Sequence, residues 1–113
     1  MICYWQQNTC LMLDFIKSLF KGHGDVAKLL NEGAVIIDVR TNEEYQAGHI
    51  EGSRNIPLDN IKKEAAALKN LNTPVVTVCR SGNRSGMAKS ILVAAGVDAY
   101  NGGAWTDLKR KIH

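Results

Sequence analysis

The stretch PVVTVCRSGNRSGMAKSILVAAG, Pro74 to Gly96, carries the fold class in its pattern. Val75, Val76, Thr77 and Val78 make a short apolar run behind a proline turn, as a buried strand does. Cys79-Arg80-Ser81-Gly82-Asn83-Arg84 is rich in turn formers, and from about Ser85 the apolar residues fall at helical spacing until Gly96. Cys79 therefore sits where a strand hands over to a helix. Successive backbone N–H groups in such a loop can curl around an anion, and the helix N-terminus adds positive potential at the same point. With Arg80 and Arg84 expected on either side, a thiolate is favoured over a thiol, and Cys79 is expected to act as a nucleophile near neutral pH.

Most cysteines are small buried hydrophobes. An inert core cysteine, however, requires no arginine after it, no glycine three residues on to free the turn, and no second arginine entering the helix. The combination of cues points to a site.

The 113 residues make one domain, long enough to bury a core without staples. Apolar residues make up 45% and charged residues 22%, the composition of an ordinary globular protein. A net charge of +3 is too small and too scattered to argue for nucleic acid as a partner. Lys62-Lys63 and Lys109-Arg110-Lys111 read as solvated helix faces. The cysteines, Cys3, Cys10 and Cys79, include no Cys-x-x-Cys, and no histidine stands at metal-ligand spacing, so no metal site is expected. Their odd number and the reactive member argue against a disulfide framework, and a reducing, cytoplasmic setting is expected.

The N-terminus lacks the charged start, apolar run and small-residue cleavage site of a secretory signal, and no stretch is long enough to span a bilayer. Residues 1–21 read as a tail followed by an amphipathic helix, its apolar stripe being Met12, Phe15, Ile16, Leu19 and Phe20. Met12 is an alternative start. Residues 22–113 are read as the functional domain.

Within that domain a helix is expected from Asp25, as N-cap, through Val26, Leu29 and Leu30 to Gly33. Ala34-Val35-Ile36-Ile37 follows as a parallel strand covered on both faces, ending in Asp38-Val39-Arg40. Polar residues at that end of a buried parallel strand stand where α/β folds place their chemistry. Thr41 to Glu44 is a capping box that opens a short helix broken at Gly48. Asn55-Ile56-Pro57 reads as a short strand that ends or lies at an edge. Leu58 to about Leu71 reads as a helix with Asp59 as its cap. In the helix after Cys79, Met87, Ala88, Ile91, Leu92 and Ala95 are assigned to the buried face. Val97 to Asn101 gives a last strand, and a final helix carries Trp105, Leu108 and Ile112. Alternating strands and helices predict an α/β domain with a parallel sheet covered on both faces.

Ile37-Asp38-Val39-Arg40, Glu43-Glu44-Tyr45, Gly48-His49-Ile50, Gly52-Ser53 with Asn55-Ile56-Pro57, Cys79 through Ser85, and Gly102-Gly103 with Trp105 occur in that order. Over residues 25–112 the chain resembles a single-domain rhodanese. The resemblance implies a five-stranded parallel sheet with helices on both faces, although the residues themselves yield four strands clearly. It implies transfer of a sulfane sulfur from thiosulfate or a persulfide donor, through a Cys79 persulfide, to an acceptor such as cyanide, a thiol or a protein. No organic cofactor or metal is implied. The loop residues Arg80, Ser81, Gly82, Asn83, Arg84 and Ser85 are expected to bind the small anionic donor. Asp38 and Arg40 are expected as supporting residues, read first as a carboxylate–guanidinium pair that orients a loop without a direct role in the chemistry; the other reading has Asp38 accepting hydrogen bonds that shape the Cys79 loop and Arg40 adding to its charge. His49 is read as held by its own turn, since the reaction needs no acid or base there. Trp105 is open to two readings, lining the pocket mouth or capping the core.

The same strand–loop–helix device serves Cys-dependent phosphatases and arsenate reductases. Those phosphatases typically place five residues between Cys and Arg, whereas four separate Cys79 from Arg84, so the tighter loop suits a sulfur atom better than a phosphate. A persulfide carrier or protein-interaction module that does not turn over is the other alternative.

Overall fold

A computed structural model of the chain describes residues 26–112; the tail and amphipathic helix expected over 1–21, and the Asp25 cap, lie outside them. The described elements alternate: α1 (Val26–Asn31), β1 (Val35–Asp38), α2 (Asn42–Ala47), β2 (Arg54–Asn55), α3 (Leu58–Asn70), β3 (Val75–Cys79), α4 (Asn83–Ala94), β4 (Ala99–Ala104) and α5 (Trp105–Ile112). The strands form one parallel sheet in the order β2-β1-β3-β4, with Cys79 ending a central strand and β2 at an edge. Among the described residues the sheet has four strands, the number legible in the residues, rather than the five implied by resemblance.

Because side chains alternate across a strand, β3 serves two cores. Val75 and Cys79 face one side with Ile37, Val39 and Ala99, against Ile61, Ala65 and Leu68 of α3 and Ala88 and Leu92 of α4. Val76 and Val78 face the other with Ile36 and Ile50, against Val26 of α1 and Leu108 of α5. Each face is closed by helices, which is why β1 and β3 read as near-continuous apolar runs.

Local chemistry sets most boundaries. Thr41 caps α2 through a complete capping box with Glu44, as its spacing predicts. One helix cap and one helix start differ from expectation. α3 opens at Leu58 behind Pro57, with no side-chain cap, and Asp59 lies inside the first turn instead of capping it. α4 begins at Asn83, two residues before Ser85, because Gly82 at φ 99° turns the chain directly into the helix. Met87, assigned to the buried face of α4, is instead 58% exposed, and Ala95 is exposed at the helix end. Ala88 and Leu92 alone of that set are fully buried, and Ile91 packs against the same core while partly exposed.

β4 begins at Ala99, two residues later than expected, and runs on through Gly102-Gly103 to Ala104. Its register against β3 shifts: Thr77 pairs with Asn101, but Cys79 pairs with Ala104. The extra residue makes a bulge. Gly102 lies so close to β3 that a Cβ there would fall 2.7 Å from Cγ1 of Val76.

Candidate functional site

Cys79 is the last residue of β3 and points to the same side as Val75 and Thr77, towards the N-terminus of α4. Its Sγ accepts from the Gly82 N–H at 3.0 Å and the Ser85 N–H at 3.4 Å, and it lies 3.3 Å from the Ser85 hydroxyl. The left-handed turn at Gly82 aims that first amide inwards. Burial pushes the thiol up. The Ser85 hydroxyl and the N–H groups of Ser85, Gly82 and Ser81 together pull it further down, so Cys79 ionises below its ordinary range. The residue is fully buried, but its sulfur is held by polar donors.

The arginines contribute differently from expectation. Arg80 is exposed on the loop. Arg84 is not an open guanidinium at the sulfur: its two terminal nitrogens donate to the carboxylate of Glu44 at 2.6 and 3.0 Å. That contact raises the Arg84 pKa despite partial burial, and the charges of Cys79 and Asp38 also reach it. Ser81 and Asn83 are exposed, Gly82 is partly buried and Ser85 is buried. Hydrogen bonds from Ser85, Gly82 and Ser81 act on the sulfur, the part expected of the loop amides, while the Arg84 guanidinium expected beside it is engaged by Glu44.

Glu44 has two functions where the sequence shows one. It closes the capping box, accepting from Thr41 N–H at 3.1 Å, and it clamps Arg84 from an element forty residues away. The Arg84 contact and the Thr41 backbone bond hold its carboxyl near a pKa of about 2.

Asp38 and Arg40 form the expected carboxylate–guanidinium pair, and among the described residues neither hydrogen-bonds to the Cys79 loop. Asp38 pairs in register with Val78, which puts its side chain on the face opposite Cys79. There the fully buried Asp38 carboxylate accepts from Arg40 Nε at 2.9 Å and Nη2 at 2.7 Å. Arg40 also donates to the carbonyls of Glu44 and Gly48 and lies 4.5 Å from the Trp105 ring centroid. The pair anchors α2, and through α2 the clamp on Arg84. Trp105 packs into the second core beside Leu108, so the capping reading describes its position. His49 stacks on Tyr45 and bonds its carbonyl at 2.8 Å, held by its turn as expected.

Asn101 is the residue that sequence reasoning missed. It pairs in register with Thr77 and so shares the face of Cys79. Its Oδ1 accepts from the Ser85 hydroxyl at 2.7 Å and from Gly103 N–H at 2.9 Å, and its Nδ2 donates to the Gly82 carbonyl at 3.2 Å. Thr77, also on that face, donates to the Ser85 carbonyl at 2.8 Å. A polar residue before Gly102-Gly103 was the available signal, but its facing depends on strand register.

Comparison with known proteins gives a consistent result. A family model described as the rhodanese-like domain matches residues 23–107. The chain is 40% identical over 74 residues to thiosulfate sulfurtransferase PspE of Escherichia coli K12, covering 64% of this chain and 71% of that one. It is 33% identical over 89 residues to thiosulfate sulfurtransferase GlpE of Pseudomonas aeruginosa PAO1, covering 78% and 80%. Among solved structures, an E. coli rhodanese with anions superposes with a TM-score of 0.61 at 39% identity, covering 66% of this chain and 91% of that one. The human single-domain sulfurtransferase TSTD1 gives 0.61 at 31%, covering 77% and 91%.

Proposed function

Because the chain belongs to the family of rhodanese-like domains, we propose that it is a sulfurtransferase in which Cys79 carries a sulfane sulfur from thiosulfate, or a persulfide donor, to cyanide or a thiol. The Cys79 thiolate attacks the outer sulfur of the donor. A new S–S bond forms as the bond to the sulfonate sulfur breaks, and sulfite leaves with the electron pair. Sulfite is a stable anion, so no general acid is needed. The acceptor then attacks the terminal persulfide sulfur, and Cys79 departs as the thiolate it began as.

The observation that carries this reading is the convergence of Gly82 N–H and Ser85 N–H on Sγ, at 3.0 and 3.4 Å. Fixed amide dipoles stabilise a sulfur anion without reorganising as the charge moves. Burial of Cys79 keeps water from the persulfide. Arg80, exposed at the rim, supplies attraction for an anionic donor. The engagement of Arg84 by Glu44 disfavours the phosphatase alternative, which needs that guanidinium free for phosphate oxygens.

The test is thiocyanate formation from thiosulfate and cyanide. Cys79→Ser abolishes it, and Cys3→Ser and Cys10→Ser do not. Thiosulfate treatment adds the mass of one sulfur at Cys79. Undiminished activity in the Cys79→Ser protein refutes the assignment. Persulfide formation without turnover would favour the carrier reading, and aryl phosphate hydrolysis outpacing sulfur transfer would favour the phosphatase.

A further inference from the structure

Three groups share one hydrogen at the site. Asn101 Oδ1 cannot donate, so across the 2.7 Å contact the Ser85 hydroxyl must be the donor. The amide cannot be turned over. Gly103 N–H requires an acceptor at the Oδ1 position, and the Gly82 carbonyl requires a donor at the Nδ2 position. A flip would oppose like groups at both contacts. With its only hydrogen given to Asn101, Ser85 Oγ can meet Sγ, 3.3 Å away, only as an acceptor, so Cys79 S–H is the donor there. That arrangement is complete for a thiol and one donor short for a thiolate.

We propose that Asn101 is a positioning residue for the Cys79 reaction, holding the Ser85 hydroxyl hydrogen while the sulfur is protonated and yielding it to the sulfur when the sulfur becomes an anion. The Ser85 O–H bond stays intact throughout and only its direction changes; the proton lost by Cys79 goes to solvent. Asn101 Oδ1 is not orphaned by the change, because Gly103 N–H remains on it. Once the new S–S bond forms, Sγ is neutral and the charge lies on the outer sulfur, so the hydroxyl returns to Asn101. Competition for this hydrogen makes the thiolate harder to form than the two amides and a free hydroxyl would allow.

Among the described residues no ionisable side chain takes this role. From α4 the charge that reaches Cys79 is that of Arg84, itself held by Glu44 of α2. From β1, Asp38 and Arg40 face the opposite core and neutralise each other. The α3 side chains packed in the core with Cys79 are Ile61, Ala65 and Leu68. From β4, Asn101 approaches.

The inference rests on Cys79 as the nucleophile, but its test reads ionisation of the sulfur without turnover, so the two fail separately. In full-length protein carrying Cys3→Ser and Cys10→Ser, the ultraviolet absorbance of the Cys79 thiolate is titrated with Asn101→Leu, Ser85→Ala and both changes. Asn101→Leu raises the thiolate fraction at a pH below the midpoint by roughly fivefold, the scale of one released hydrogen bond. In the Ser85→Ala background the same change has no such effect. Asn101→Asp, which keeps an acceptor for the hydroxyl, lowers the thiolate fraction, and by more with Ser85 present than in the Ser85→Ala background. A fall in thiolate with Asn101→Leu, whether from a collapsed loop or otherwise, or a shift of equal size with and without Ser85, overturns the proposal.

Discussion

Glu44 and Arg84 are joined by two charge-assisted hydrogen bonds, 2.6 and 3.0 Å long, that tie the helix after β1 to the helix after Cys79. The bidentate geometry fixes direction as well as distance. It leaves Arg84 within electrostatic reach of Cys79 but paired with Glu44.

Glu44→Gln therefore frees a positive charge at the site. The expected result is a KM for thiosulfate lowered a few-fold, with steeper dependence on ionic strength, as unscreened charge is added near the donor. An unchanged KM at low salt would show that Arg84 does not act on the donor. Both side chains are about a third exposed, so solvent screening limits the stability cost to about 1 kcal/mol or less. The Glu44 carboxyl is held down from 4.5 to about 2, so this contribution is complete above pH 4.5 and lost as the pH falls through about 2. Wild type and Glu44→Gln should then converge in melting temperature at the acid end.

Asp38→Asn leaves the Arg40 charge buried with half a partner. Removing one member of a buried pair costs about 3–5 kcal/mol, and for a domain of this size the melting temperature should fall by more than about 10 °C. A fall of only a degree or two would mean that water reaches Arg40.

Gly82 and Gly102 should separate activity from stability. At Gly82 nothing obstructs a side chain closely, the nearest atom being Gly103 Cα at 3.6 Å, but φ 99° strains any other residue. Gly82→Ala should move the amide off Sγ and cut kcat by about a hundredfold, the lower end for one lost oxyanion-type donor. Gly102→Ala instead drives a methyl into Val76 and should cost about 1–3 kcal/mol by overpacking. Activity measurements beside thermal melts distinguish them, and matching losses in both assays for both variants would contradict the division.

The depressed Cys79 ionisation has a linkage consequence. An acid whose folded pKa lies below its unfolded one adds stability above the unfolded value and loses it as pH falls through the folded value. The stability gap between wild type and Cys79→Ser should thus move in favour of wild type as pH rises from neutrality towards the ordinary thiol range. A flat gap would place the thiol at its ordinary range, and one that moves the other way would place it above; either contradicts the lowered ionisation.

Because Cys79 is fully buried, reagent size should matter. Iodoacetamide should label it in the folded protein, while a bulky aromatic disulfide should react more slowly than with urea-unfolded chain, since access limits a buried thiol. Equal rates would show the loop standing open.

The local features were legible in order along the chain. The Val75–Cys79 run, the Thr41–Glu44 capping box and the turn at Gly82 each follow from the preferences of a few adjacent residues, and they yield alternating elements and Cys79 at a strand end. What partners each polar side chain has was not legible. Asp38 stands close to Cys79 in the sheet yet faces away from it, and Asn101 faces towards it, because parity across paired strands depends on register. Glu44 reaches Arg84 only because two helices that are distant in sequence start at the same end of the sheet. Short-range propensity therefore determined the elements and the cysteine, while long-range packing decided which groups share that cysteine's charge.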